Sequence, residues 1–118
     1  MYFYFMKQNS QLFKGSLSTI VLKLLSEQDK MYGYEITKKV KELTGGEVNI
    51  TEGALYPALH KLEAEGLLTV SVENQGNRPR KYYKLTKDGK KEVKTKLAEL
   101  KDFFDQMQLV LKLQLNTH

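Results

Sequence analysis

The last third of the chain constrains its fold most. Val93, Leu97, Leu100, Phe104, Met107 and Leu111 are spaced 4, 3, 4, 3 and 4 residues apart. That is a heptad seam of period 3.5, the pattern of a long helix that lays one stripe against another helix. Phe103 and Val110 widen one flank of the seam. Thr86-Lys-Asp-Gly89 starts this helix, and the pattern carries it to Leu115. A helix this long and apolar, at the end of a chain of 118 residues, needs a partner surface. The commonest partner for such a stripe is another copy of the same chain.

A second organising stretch is Thr51–Leu68, TEGALYPALHKLEAEGLL. Leu55, Leu59 and Leu62 fall at i, i+4 and i+7, so they line one side of a helix and can be buried. Thr51 stands where an N-cap belongs, with a hydroxyl able to accept from an orphan N–H of the first turn. Gly66 supplies the left-handed stop. The other side of this helix carries Thr51, Glu52, Gly53, Tyr56, His60 and Lys61. Gly53 lets another backbone or a ligand approach the first turn closely. Pro57 leaves the Gly53 carbonyl without its helical partner, a cost that is bearable near the first turns. Taken alone, the stretch reads as a half-buried helix with a solvated polar face.

The charge distribution changes that reading. The net charge is +5, but ten of the basic residues lie between Gln75 and Lys101, against three acidic ones. The rest of the chain holds nine basic and eleven acidic residues. The basicity is local, which suits a polyanionic partner. A solvated lysine-rich helix accounts for much of Lys87–Lys101 but less well for Arg78, Arg80 and Lys81. The absence of cysteine excludes disulfides and thiolate metal sites. The two histidines, His60 and His118, are too far apart in sequence to suggest a metal site or a catalytic pair. We therefore expect no metal and no cofactor. No run approaches the roughly 20 apolar residues of a membrane span. MYFYFM lacks the length and basic start of a signal peptide, and translation can begin at Met1 or at Met6. A cytoplasmic location is the expectation.

Taken in order, Ser10–Gln28 reads as a first helix, with Leu17, Ile20, Val21, Leu24 and Leu25 as a wide apolar stripe and Ser16 as a second candidate cap. Met31-Tyr-Gly-Tyr34 leads into a second helix, with Tyr32 and Tyr34 anchoring its start in the core. Ile36, Val40 and Leu43 lie on one face of it, and Lys38, Lys39 and Lys41 mostly on the other. Gly45-Gly46 ends it, and Glu47–Ile50 is a candidate edge strand. Two short helices joined this way suggest a helix-turn-helix with a slightly long turn. Leu67–Glu73 and Lys81–Thr86 read as the strands of a hairpin, with Asn74–Asn77 as its turn and Arg78-Pro-Arg80 at the tip or descending side. Tyr82 and Tyr83 are expected to pack this hairpin onto the core. The fold class is mainly α with a small β-hairpin: a winged helix-turn-helix over residues 10–86, then a long C-terminal dimerisation helix over residues 87–115.

Several motifs carry a more specific resemblance. They are Gly15-Ser-Leu17, Tyr32-Gly-Tyr-Glu-Ile36, Thr51-Glu-Gly-Ala-Leu-Tyr-Pro-Ala-Leu59, Leu62-Glu63 with Gly66-Leu67, and Arg78-Pro-Arg-Lys-Tyr-Tyr-Lys-Leu-Thr86. Together they make the chain resemble the PadR family of bacterial transcriptional regulators, in the short form with a single C-terminal helix. The match runs from about Gly15 to Gly89. The resemblance implies a homodimeric repressor on an inverted-repeat DNA operator, with the third helix in the major groove and the wing on the flanking backbone or minor groove. Thr51, Gly53, Tyr56, His60 and Lys61 are then candidates for the groove, and Arg78, Arg80 and Lys81 for phosphates or the minor groove. Lys38 and Lys39 are candidates for the backbone beside it. Two readings stand for Tyr56: a DNA contact, or packing between helices. The resemblance also implies a small aromatic or drug-like ligand between subunits, with Leu100, Phe103, Phe104, Met107, Phe13 and Leu17 as its walls. A closed hydrophobic dimer core built on Val93, Leu97 and Leu111 as well is the alternative.

Three rival readings remain. A winged helix used as a protein-interaction module would need an exposed apolar patch in place of the basic hairpin. A membrane-surface role for Val93–Leu115 fits its amphipathic character, but the heptad spacing favours a helix partner. An enzyme is the weakest option, because the sequence offers no nucleophile–base pair, phosphate loop or metal set.

Overall fold

A computed structural model describes residues 11–113. The elements are α1 (Gln11–Glu27), β1 (Met31–Tyr32), α2 (Gly33–Leu43), α3 (Glu52–Ala64), β2 (Leu68–Gln75), β3 (Arg78–Leu85) and α4 (Lys87–Leu111). MYFYFM, Met6, Ser10, Leu115 and His118 lie outside the described residues. The order is that of a winged helix-turn-helix followed by one long helix, as the sequence pattern predicts.

The core forms where α1, α2 and α3 meet the sheet. Val21, Leu22, Ile36, Leu55 and Leu59 have no exposed surface, and Leu62, Tyr83 and Met31 have almost none. Burying a leucine side chain stabilises by roughly 1.5–3 kcal/mol, so these few residues dominate the packing energy. The predicted stripe of α1 is buried except for Ile20, which is half-buried. Leu22 lies outside that stripe yet is fully buried, because α1 is covered by α3, by β3 and by α4 rather than on one side only. Ser16 is not a cap: α1 begins upstream of it, and its hydroxyl donates back to the Leu12 carbonyl at 3.3 Å.

The sheet corrects the sequence reading in one important place. Glu47–Ile50 forms no strand. The third strand is Met31–Tyr32, which pairs with the hairpin through Met31↔Tyr83 and Tyr32↔Tyr82. All pairings are antiparallel, in the order β1-β3-β2. The hairpin is also longer than predicted. Its register runs from Leu68↔Leu85 to Gln75↔Arg78, so Arg78-Pro-Arg80 begins β3 and only Gly76-Asn77 makes the turn. Gly76 has φ +63, a conformation that a residue without a Cβ adopts freely. Pro79 is tolerated because β1 reaches only Tyr82 and Tyr83, which leaves the β3 backbone beside Pro79 unpaired on that side.

Two further expectations fail on α2. Leu43 is 65% exposed and Tyr34 is 62% exposed, so neither joins the core. Leu43 is the last residue of α2, whose buried residues end at Val40. Gly45 and Gly46, with φ +62 and +88, end the helix as predicted.

At the start of α4, Thr86 Oγ accepts from the Gly89 N–H at 3.0 Å and donates to the Gly66 carbonyl at 2.7 Å. The Thr86 N–H donates to the Leu67 carbonyl at 3.0 Å. A Cβ on Gly89 would overlap that same carbonyl oxygen. The helix is thus docked tightly on the α3–β2 turn. Its seam then divides. Val93 is buried, Leu97 is half-buried against the core and Leu100 is half-buried, while Phe103, Phe104 and Leu111 are exposed.

Candidate nucleic-acid interface

The candidate interface is built on α3. The Thr51 hydroxyl accepts from the Ala54 N–H at 3.2 Å, the predicted cap. With Leu55, Leu59 and Leu62 turned inward, Thr51, Gly53, His60 and Lys61 are all exposed. A Cβ at Gly53 would meet nothing closer than the Thr51 hydroxyl at 4.0 Å, so its backbone stands open to an approaching surface. Thr51, Gly53 and Lys61 also line a groove with Lys14, Leu17 and Ser18 of α1. Lys14 carries no local sequence signal that marks it out.

Tyr56 behaves differently from its neighbours on α3. It is half-buried, and a Cβ on Gly33 would come within 2.6 Å of its hydroxyl. Its ring centroid lies 6.3 Å from that of His60. Tyr56 therefore packs α3 against the first turn of α2. Tyr83 lies deeper; burial first, then the nearby Tyr56 and Glu63, push its hydroxyl pKa upward.

The turn between α2 and α3 is held by a residue that the sequence reading passed over. Thr44 Oγ donates to the Val40 carbonyl at 2.9 Å and accepts from the Val48 N–H at 3.0 Å. It spans the end of one helix and the approach to the next, so it sets their separation. A threonine near Gly-Gly at a helix end was the available signal. Lys38 and Lys39 are exposed on α2, and Lys38 borders a groove with Tyr34, Lys41 and Asn49.

The hairpin separates its three basic candidates. Successive strand residues point to opposite faces. Arg78 and Arg80 therefore share a face with Tyr82, whereas Lys81 shares the core face with Tyr83 and Leu85. Arg78 and Lys81 are exposed, and Arg80 is half-buried. The Arg80 guanidinium lies 4.3 Å from the centroid of the Tyr32 ring. Opposite Arg80 in register is Glu73, but both Glu73 oxygens accept from Lys30 Nζ at 2.7 Å. The hydrogen bond from Lys30 holds the Glu73 carboxyl below its usual pKa, and Glu73 in turn raises that of Lys30. The hydroxyl of Tyr82 accepts from Gln75 Nε2 at 2.9 Å, and Lys30 lies 5.0 Å from the Tyr82 ring centroid.

The residues proposed to line a dimer or ligand pocket do not form one set in the single chain. Leu17 and Val93 belong to its core, at 3% and 6% exposure, and Phe13 packs against that core. Leu97, Leu100 and Met107 are half-buried. Phe103 and Phe104, with ring centroids 6.2 Å apart, and Leu111 are exposed. Among the described residues no group of histidines and carboxylates is arranged to hold a metal, and no helix is long and apolar enough to cross a membrane.

Comparison with known proteins decides the family. The model of the transcriptional regulator PadR-like family matches residues 21–95. The chain belongs to the PadR-like family of transcriptional regulators. It is similar to a transcriptional regulator of Clostridium thermocellum, with a TM-score of 0.76 and 32% identity over 85% of this chain and 94% of that one. It is 36% identical over 70 residues to the negative transcriptional regulator PadR of Bacillus subtilis, covering 58% of this chain and 38% of that longer protein. The structure of Bacillus subtilis PadR in complex with operator DNA aligns with a TM-score of 0.62 and 35% identity, over 69% of this chain and 46% of that one. PadR-like proteins are transcriptional regulators, not enzymes.

Proposed function

We propose that this PadR-like regulator is a homodimeric repressor in the cytoplasm that binds an inverted-repeat operator through α3 and the hairpin. The observation that carries the reading is the outward face of α3. It presents Thr51, Gly53, His60 and Lys61 outward above a buried leucine row, next to a hairpin bearing Arg78 and Lys81. A major groove admits such a helix, and small residues on its first turn allow close approach. Bacillus subtilis PadR, a relative solved with operator DNA and named a negative regulator, supports the same assignment. Lys38 and Lys39 would reach the backbone beside the groove. In this reading residues 10–86 bind DNA and residues 87–115 pair the subunits.

A labelled duplex from upstream of the chain's own gene tests DNA binding. Affinity should fall with salt by a log–log slope of about −0.9 per neutralised phosphate. Lys61→Ala and Arg78→Ala should each weaken binding and make the slope shallower. Salt-independent binding, or none, would overturn the proposal. Pairing is tested separately by light scattering. Phe104→Glu places a charge in the exposed seam and should give monomers with a preserved helical spectrum. A monomeric unaltered chain would sink the dimer. A small aromatic or drug-like effector would sit between subunits at Leu100, Phe103, Phe104 and Met107, and should raise the dissociation constant for DNA when added.

A further inference from the structure

We infer that Tyr32 is a positioning residue that aims Arg80 in the DNA-binding surface. The inference rests on the DNA-binding reading above. An arginine on a protruding hairpin ordinarily loses much rotamer freedom when it meets a ligand. Here the guanidinium already lies over the Tyr32 ring, 4.3 Å from its centroid. A stacked guanidinium keeps its N–H donors in the plane, pointing away from the ring and free for an anion.

The ring that carries it is itself fixed. Tyr82 meets it edge-on at 5.4 Å, and Tyr34 stacks near it at 6.4 Å with 21° between planes. The Tyr32 backbone is pinned by pairing with Tyr82 and by donating its N–H to Glu35 Oε1 at 3.0 Å. The one carboxylate opposite Arg80 in register, Glu73, is occupied on both oxygens by Lys30. Among the described residues Arg80 makes no ion pair. Lys30 thus removes the competitor that would otherwise turn Arg80 across the hairpin, and Tyr32 supplies the platform. Tyr32 thus joins the hairpin to α2, its ring through Tyr34 and its backbone N–H through Glu35, so Arg80 is held relative to the helices rather than to the hairpin alone.

The test is a double-mutant cycle on the duplex bound by the unaltered protein at fixed salt. Tyr32→Leu should raise the dissociation constant about two- to fivefold, the scale of one cation–π contact. Tyr32→Phe keeps the ring and should bind as the unaltered protein does. In an Arg80→Ala background, Tyr32→Leu should have no further effect, and Arg80→Ala should reduce the magnitude of the salt slope by about 0.9. Arg80→Lys keeps the charge but not the plane and leaves Tyr32 in place. It should lose affinity as Tyr32→Leu does, and it keeps the test open if Tyr32→Leu fails to fold. Additive losses, equal losses from Tyr32→Phe and Tyr32→Leu, or full affinity in Arg80→Lys would overturn the inference while leaving DNA binding intact. Absence of binding by the unaltered protein would sink the parent reading and this one with it.

Discussion

Gly33 is held to glycine by a neighbour on another helix. Its missing Cβ makes room for the Tyr56 hydroxyl, which would stand 2.6 Å from a methyl there. Gly33→Ala should therefore push the Tyr56 ring aside and cost about 1–2 kcal/mol in urea unfolding. Tyr56→Phe removes the nearest atom and should recover part of that loss; additive costs would refute the contact. Lys30 and Glu73 provide a second residue-scale prediction. The folded carboxyl of Glu73 has a lowered pKa, so its contribution is complete above the unfolded carboxylate value and is lost as pH falls through the folded one. Protection factors around Glu73 and Arg80, taken relative to the intrinsic exchange rate at each pH, should fall on acidification, and Glu73→Gln should abolish that dependence. Residue-level legibility followed sequence distance. The Thr51 cap was readable because donor and acceptor are three residues apart. The contact of Arg80 with Tyr32 joins two strands far apart in the chain, and no local pattern announces it.

The elements were legible where periodicity sets them and obscure where tertiary contact does. Leu55, Leu59 and Leu62 announce α3, and Tyr83 and Leu85 announce the core face of β3. Met31-Tyr32 announces nothing: two residues make a strand only because β3 lies beside them. Glu47–Ile50 was the candidate strand, yet no strand pairs with it. Arg78-Pro-Arg80 was legible as the tip or the descending side of the hairpin, and the strand runs through it because one side of β3 is unpaired there. The start of α4 gives the prediction at this scale. Thr86 caps α4 and also bonds the Gly66 carbonyl, so Thr86→Val loses both at nearly constant volume. We expect a loss of about 1–2 kcal/mol at unchanged m-value, measured by urea unfolding at fixed protein concentration. A loss below about 0.3 kcal/mol, smaller than that of an ordinary cap, would show that α4 is placed by packing alone.

At the scale of the molecule, α4 serves two surfaces. Its first turns close the core at Val93, while Phe103, Phe104, Val110 and Leu111 extend an apolar face outward. The heptad spacing made that face readable, but not that core packing ends after Leu97, since the spacing does not change there. The short strand β1 has a consequence for how the chain reaches its fold. The helices and the β2–β3 hairpin are built from neighbours in sequence and can form early. Pairing Met31 with Tyr83 closes a loop of about fifty residues and brings entropy loss before reward. Closure of β1 onto β3 should therefore come after the rate-limiting barrier. Met31→Ala should speed unfolding far more than it slows refolding, as followed by stopped-flow tyrosine emission in a chain without tryptophan. Equal effects on both rates would place that closure within the barrier. If closure is late, a chain caught mid-way in folding would already hold α3 and the hairpin while Tyr32 had yet to meet Arg80.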